Sequence, residues 1–182
     1  MVGWIIGIII LIVVIYLISL YNRLVVLKNK VDNSWAQVDV QLKRRYDLIP
    51  NLVETIKGYA THEKEIFENV ARARQVAISA QGPAEKSQAE NQLTQALRQL
   101  FAVAEAYPNL RASENFTQLQ NELSETENKI AYSRQFYNDT VFMYNSSIEK
   151  FPANIFAGMF GHRKREYFET QGEEREPVKV QF

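Results

Sequence analysis

His62-Glu63-Lys64-Glu65 is the first place where this chain sets an imidazole beside carboxylates. A zinc-protease helix needs a second histidine four residues on, so that both rings face one metal ion. Position 66 is Ile66, so that site is absent. A di-iron bundle needs paired Glu-x-x-His motifs, and neither His62 nor His162 has a glutamate three residues before it. His62 therefore reads as a solvent-facing residue. There is no cysteine, which removes disulfides, thiolate metal sites and cysteine nucleophiles. Ser113, Ser133, Ser146 and Ser147 lie in or at the start of a helical pattern, with no histidine nearby in sequence and no Gly-x-Ser-x-Gly turn. No glycine loop could cradle a phosphate, and the chain is too short for the nucleotide-binding domain of a sensor kinase. The expectation is no catalytic residue, no cofactor and no metal. A hydrolase would need a carboxylate pair hidden among the exposed glutamates.

The polar residues that remain fall at helical spacings. Gln41-Leu42-Lys43-Arg44-Arg45-Tyr46-Asp47 concentrates charge in under two turns, with Arg44, Arg45 and Asp47 as candidates. Glu127, Arg134 and Asn138 share a stripe at spacings of seven and four, and Asn145 extends it. Such groups can fix the register of a bundle seam through satisfied hydrogen bonds, or they can form a partner-binding site. Structural pairing is the favoured reading. A local repeat, Tyr137-Asn138 and Tyr144-Asn145, sets the same pair two turns apart on one helix face.

Positioning these residues requires long helices. Leu24, Leu27, Val31, Trp35, Val38 and Leu42 recur every three or four residues, which marks one helix face. That helix is expected to run to about Leu48, with Pro50 in the first turn of a second helix, where its missing N–H costs nothing. The second helix carries Leu52, Ile56, Tyr59, Ile66, Val70, Ala73 and Ala77 and stops at Gln81-Gly82-Pro83. A third runs from about Ala84 to Ala106 with Leu93, Leu97, Leu100 and Ala104 inward, and Tyr107-Pro108-Asn109 ends it. The fourth starts near Ser113 or Asn115, good N-caps. It carries Phe116, Leu119, Leu123, Ile130, Tyr137, Val141, Tyr144 and Ile148, and ends at Phe151-Pro152. No segment alternates with period two. The expected fold is all-α: an antiparallel four-helix bundle over residues 22–150.

Ahead of the bundle, Val2 to Leu20 contains no charged side chain. A bilayer core takes roughly 20 apolar residues as helix, and Trp4 and Tyr21 sit near the ends, where aromatic rings favour the headgroup level. A cleaved signal peptide would need a basic start, a shorter apolar core and a small-residue cleavage site. No Lys or Arg precedes this run, and Leu20-Tyr21-Asn22-Arg23 is a poor cleavage site. The run, residues 1–21, is expected to be a single uncleaved transmembrane anchor continuous with the first bundle helix. Arg23, Lys28 and Lys30 follow it, so the positive-inside rule places the N-terminus outside and the domain in the cytoplasm. Lys plus Arg and Asp plus Glu each total 21. With no net basic field, nucleic acid is not an expected partner.

An up-down bundle of helices roughly 40 to 50 Å long returns its fourth helix toward the bilayer. The chain that follows contains Phe156, Met159 and Phe160 and then Arg163, Lys164 and Arg165. Apolar rings beside cations suit an interface with anionic lipid. They also suit a cap that closes the open end of the bundle core, and capping is the favoured reading of the two. Residues 169–182 are polar and expected to be disordered.

Val38-Asp39-Val40-Gln41-Leu42-Lys43-Arg44-Arg45-Tyr46-Asp47-Leu48-Ile49-Pro50-Asn51-Leu52-Val53 resembles the signature of the LemA family of bacterial membrane proteins. So do Ala104-Glu105-Ala106-Tyr107-Pro108-Asn109-Leu110 and Glu127 to Asn138. The Tyr144-Asn145 and Phe151-Pro152 positions match too. The resemblance implies an N-terminal anchor and a long-helix bundle. It implies no enzymatic role, and one branch is associated with magnetosome membranes. Together these readings point to a non-enzymatic, self-associating membrane scaffold or adaptor whose partners are the lipid bilayer, further copies of the chain and unnamed membrane proteins. The alternative is an accessory subunit in signalling or transport, moving about a hinge at Lys43 to Asp47 and Pro50.

Overall fold

The computed structural model describes residues 2–169. Among the described residues every regular element is helical: α1 Val2–Lys57, α2 Lys64–Ser79, α3 Gly82–Glu105, α4 Pro108–Arg111, α5 Glu114–Glu149 and α6 Ala153–Ala157. The expectation of a polar, disordered tail falls outside the described residues beyond Glu169.

α1 corrects the sequence reading. The chain does not turn at Pro50; the helix continues through it to Lys57. A proline inside a helix deprives the carbonyl four residues earlier of its N–H donor. That carbonyl belongs to Tyr46, and the Arg74 guanidinium Nε–H donates to it at 2.7 Å. With the orphaned acceptor satisfied from another helix, α1 persists past the proline. The turn lies instead at residues 58–63, after Lys57 has placed a cation at the helix C-terminus. The hinge expected at Lys43 to Asp47 and Pro50 is therefore the interior of a helix.

The chain forms two compact units. One comprises the chain up to Gln37 together with Gln135–Glu166; the other comprises Val38–Arg134 and the chain from Tyr167. In the first, Leu24, Leu27 and Val31 of α1 and Tyr137, Val141, Tyr144 and Ile148 of α5 are buried. The Trp35 and Tyr137 rings meet at 5.1 Å. No residue from Gly3 to Leu20 is buried, and this stretch is long and apolar enough to cross a membrane.

The second unit buries Val38, Leu42, Ile49, Leu52 and Ile56 of α1, Val70 and Ala77 of α2, Leu93, Leu97 and Leu100 of α3, and Phe116, Leu123 and Ile130 of α5. α2 and α3 pack on each other. The link between them needs Gly82 at φ +74°, a conformation L side chains resist. Pro83 opens α3, and the Glu85 carboxylate accepts the Gln81 backbone N–H at 3.0 Å. Helix α3 stops before Tyr107-Pro108, as its sequence predicts.

Candidate functional site

Two clusters of polar groups stand out, one in each unit. In the second unit Arg45 projects from the inward face of α1, between Leu42 and Ile49. Its Nη1 donates to Glu90 Oε2 at 2.6 Å, its Nη2 to Thr94 Oγ1 at 2.8 Å, and its Nε lies 2.9 Å from Glu127 Oε1. The other Glu90 oxygen accepts the Tyr46 hydroxyl. Arg45 and Glu90 are only 3% and 5% exposed at the side chain. Charges buried so deeply are tolerated only when paired. Burial, then the neighbouring Glu90 charge, pushes the Tyr46 phenol far up. Burial also raises the Glu127 carboxyl, against the pull of Arg45.

Of the sequence candidates, Arg45 and Glu127 meet in this cluster. Arg44 and Asp47 face solvent. Arg134 stacks its guanidinium 4.7 Å from the Phe168 ring, and Asn138 is partly buried. Glu90 and Thr94 were not singled out from sequence. Glu90 nonetheless falls on the inward stripe of α3, three residues before Leu93, and a carboxylate at a core position calls for a cation.

In the first unit, the chain after α6 is an extended strap held by side chains of α5. The Tyr137 hydroxyl donates to the Glu166 carbonyl at 2.8 Å. Asn145 makes two bonds to Arg165: its Nδ2 donates to the carbonyl and its Oδ1 accepts the N–H, each at 2.9 Å. The Tyr144 hydroxyl lies 3.0 Å from His162 Nδ1. Three of the four residues in the Tyr-Asn repeat therefore grip the strap. The Arg165 guanidinium pairs with Asp32 at 2.8 Å, and Lys164 pairs with Glu149. Burial pushes the Tyr137 phenol up to about 12, although Arg165 pulls it down.

Residues 151–160 have two faces. Ala153 and Ala157 are buried and Phe156 is half-buried. Phe151, Ile155 and Met159, at four-residue spacing, are 81%, 56% and 79% exposed. Phe160 meets Tyr21 edge to face at 5.3 Å, which puts this segment at the end of the apolar run of α1. Arg163 is exposed. Among the described residues no three His, Asp or Glu side chains are grouped to hold a metal ion.

Comparison with known proteins adds the family. Magnetosome protein MamQ 2 of Paramagnetospirillum magneticum is 26% identical over 181 residues, covering 85% of this chain and 66% of that protein. Magnetosome protein MamQ of Magnetospirillum gryphiswaldense is 25% identical over 178 residues, covering 84% of this chain and 65% of its own length. Protein LemA of Metamycoplasma hominis is 26% identical over 140 residues, covering 75% and 63%. The chain spans just under two thirds of the length of these relatives. The LemA family model matches residues 34–182, which include the Arg45 cluster and the strap. This helical chain, with its apolar N-terminal helix, belongs to the LemA family.

Proposed function

We propose that this chain is a non-enzymatic, single-pass membrane scaffold. An antiparallel bundle built mainly from α1, α2, α3 and α5 would be carried on a span that stays uncleaved. The observation that carries the reading is the continuity of α1: one helix of 56 residues leads from the unburied apolar segment into the packed core. Continuous helix transmits orientation, so an anchored α1 dictates how the domain is presented. Phe160 against Tyr21 and the outward Phe151, Ile155 and Met159 support a second membrane contact, in which Phe156, Met159 and Phe160 face lipid and Arg163, Lys164 and Arg165 face headgroups. The exposed Phe136 and Met143 on α5 in the first unit share a face opposite its core and support self-association. Arg23, Lys28 and Lys30 support a cytoplasmic domain at the inner membrane. The test is cross-linking of the full-length protein in native membranes, followed by detergent extraction, sizing and mass spectrometry of the adducts. Adducts between copies or with other membrane proteins are expected. Trapping of monomer alone sinks the scaffold reading.

A further inference from the structure

His162 has a buried ring nitrogen with nothing to bond. The residue is 8% exposed. Its Nδ1 faces the Tyr144 hydroxyl, and its Nε2 has no hydrogen-bond partner among the described residues. In the tautomer where Nδ1 accepts the Tyr144 hydroxyl proton, the imidazole proton sits on Nε2. A buried N–H without an acceptor is desolvated with nothing in return, and an acceptor arriving there supplies the missing bond.

The surroundings favour an acceptor with negative charge. Lys164 and Arg165 have carboxylate partners. Arg23, Lys28, Lys30 and Arg163 form no ion pair among the described residues. Burial, and after it the Lys28 charge, lower the His162 imidazole from its ordinary value. The ring is 6.5 Å from that of Tyr21, at the end of the charge-free run, where headgroups of a bilayer would begin. The outward Phe151, Ile155 and Met159 beside it need an apolar cover. One molecule that supplies both an anionic oxygen at this level and hydrocarbon next to it is a phospholipid.

We propose that His162 Nε2–H, Lys28 and Arg163 hold the phosphate of an anionic glycerophospholipid headgroup. Net negative headgroups are preferred because the ammonium of a zwitterionic lipid opposes Lys28 and Arg163. The site rests on the membrane-anchored reading, and its test is arranged to separate the two.

Full-length protein is reconstituted in nanodiscs of mixed phosphatidylglycerol and phosphatidylcholine, and retained lipid is counted by native mass spectrometry. Retention of phosphatidylglycerol over phosphatidylcholine by about tenfold is expected, or about 1.4 kcal/mol. Lys28→Gln with Arg163→Gln changes exposed side chains and should bring the ratio to near one. His162→Phe keeps the ring packing and should lower it several-fold. In wild-type protein the His162 imidazole nitrogen resonance should shift on adding short-chain phosphatidylglycerol in neutral detergent. Equal retention of the two lipids, or a preference that survives all three substitutions, overturns the proposal. Inorganic phosphate or glycerol phosphate moving the resonance at the same concentration as the lipid also overturns it, in favour of a soluble phosphate. Carbonate extraction of native membranes reads the anchor separately. A chain released by carbonate refutes the anchor, while the detergent titration still reports on the site.

Discussion

Replacing Arg45 with Met removes the cation but keeps most of the side-chain volume. The Glu90 carboxylate is then left in the core with the Tyr46 hydroxyl as its remaining partner in this cluster. Three contacts disappear, at 2.6, 2.8 and 2.9 Å. Glu127 is 41% exposed at its side chain and can recover hydration, but Glu90 cannot. Breaking a buried pair from one side costs about 3–5 kcal/mol, chiefly through the stranded charge. For a chain of this size each kcal/mol lowers Tm by about 2–4 °C, so a fall of about 6–20 °C is expected. The assay is thermal unfolding of the full-length protein in one detergent at one scan rate, followed by circular dichroism. The second arm is Arg45→Met with Glu90→Leu. Removing both charges leaves no stranded ion, and the Tyr46 hydroxyl keeps the Ala77 carbonyl at 3.3 Å. The double variant should return to within about 2 kcal/mol of wild type, because apolar replacement of a buried pair is often neutral. A single variant that loses less than about 1 kcal/mol refutes the reasoning. So does a double variant that melts as low as the two single losses added together.

Arg74→Met should cost about 1–3 kcal/mol by stranding the Tyr46 carbonyl, and should cost less in a Pro50→Ala background, where residue 50 regains its N–H. Equal losses in both backgrounds, measured by denaturant unfolding in detergent, would show that Arg74 is not replacing the missing helical bond. At alkaline pH the folded chain should lose stability as pH rises from about 10 toward 12. Unfolded tyrosine titrates near 10 while buried Tyr137 holds its proton to about 12, so the unfolded state releases protons first. The loss is on the order of 3 kcal/mol when complete, and Tyr46 acts in the same direction. Ultraviolet phenolate titration of native protein should resolve a late fraction among the nine tyrosines; one common midpoint near 10 contradicts the burial argument.

Local chemistry made much of this protein legible from its residues. The charge-free run before Arg23 and the stop at Tyr107-Pro108 are properties of short stretches. The stripe through Leu24, Val31, Val38 and Leu42 was read in the same way, and those residues are buried. Arg45 and Glu127 were visible as charges at helical spacing, but not as partners. What tertiary structure decided depends on residues far apart in the chain. Pro50 looks like a helix start, since its own neighbourhood contains no donor for the Tyr46 carbonyl. Arg74, on another helix, supplies it and keeps α1 whole. Glu90 looks like one more surface acid until Arg45, 45 residues earlier, closes on it. The Tyr-Asn repeat gave its spacing in advance, while its role as a grip on the strap required the strap to fold back onto α5. Helix periodicity and apolar length act over one or two turns, so sequence suffices for them. A hydrogen bond or ion pair across the core is made only when packing brings its two halves within about 3 Å.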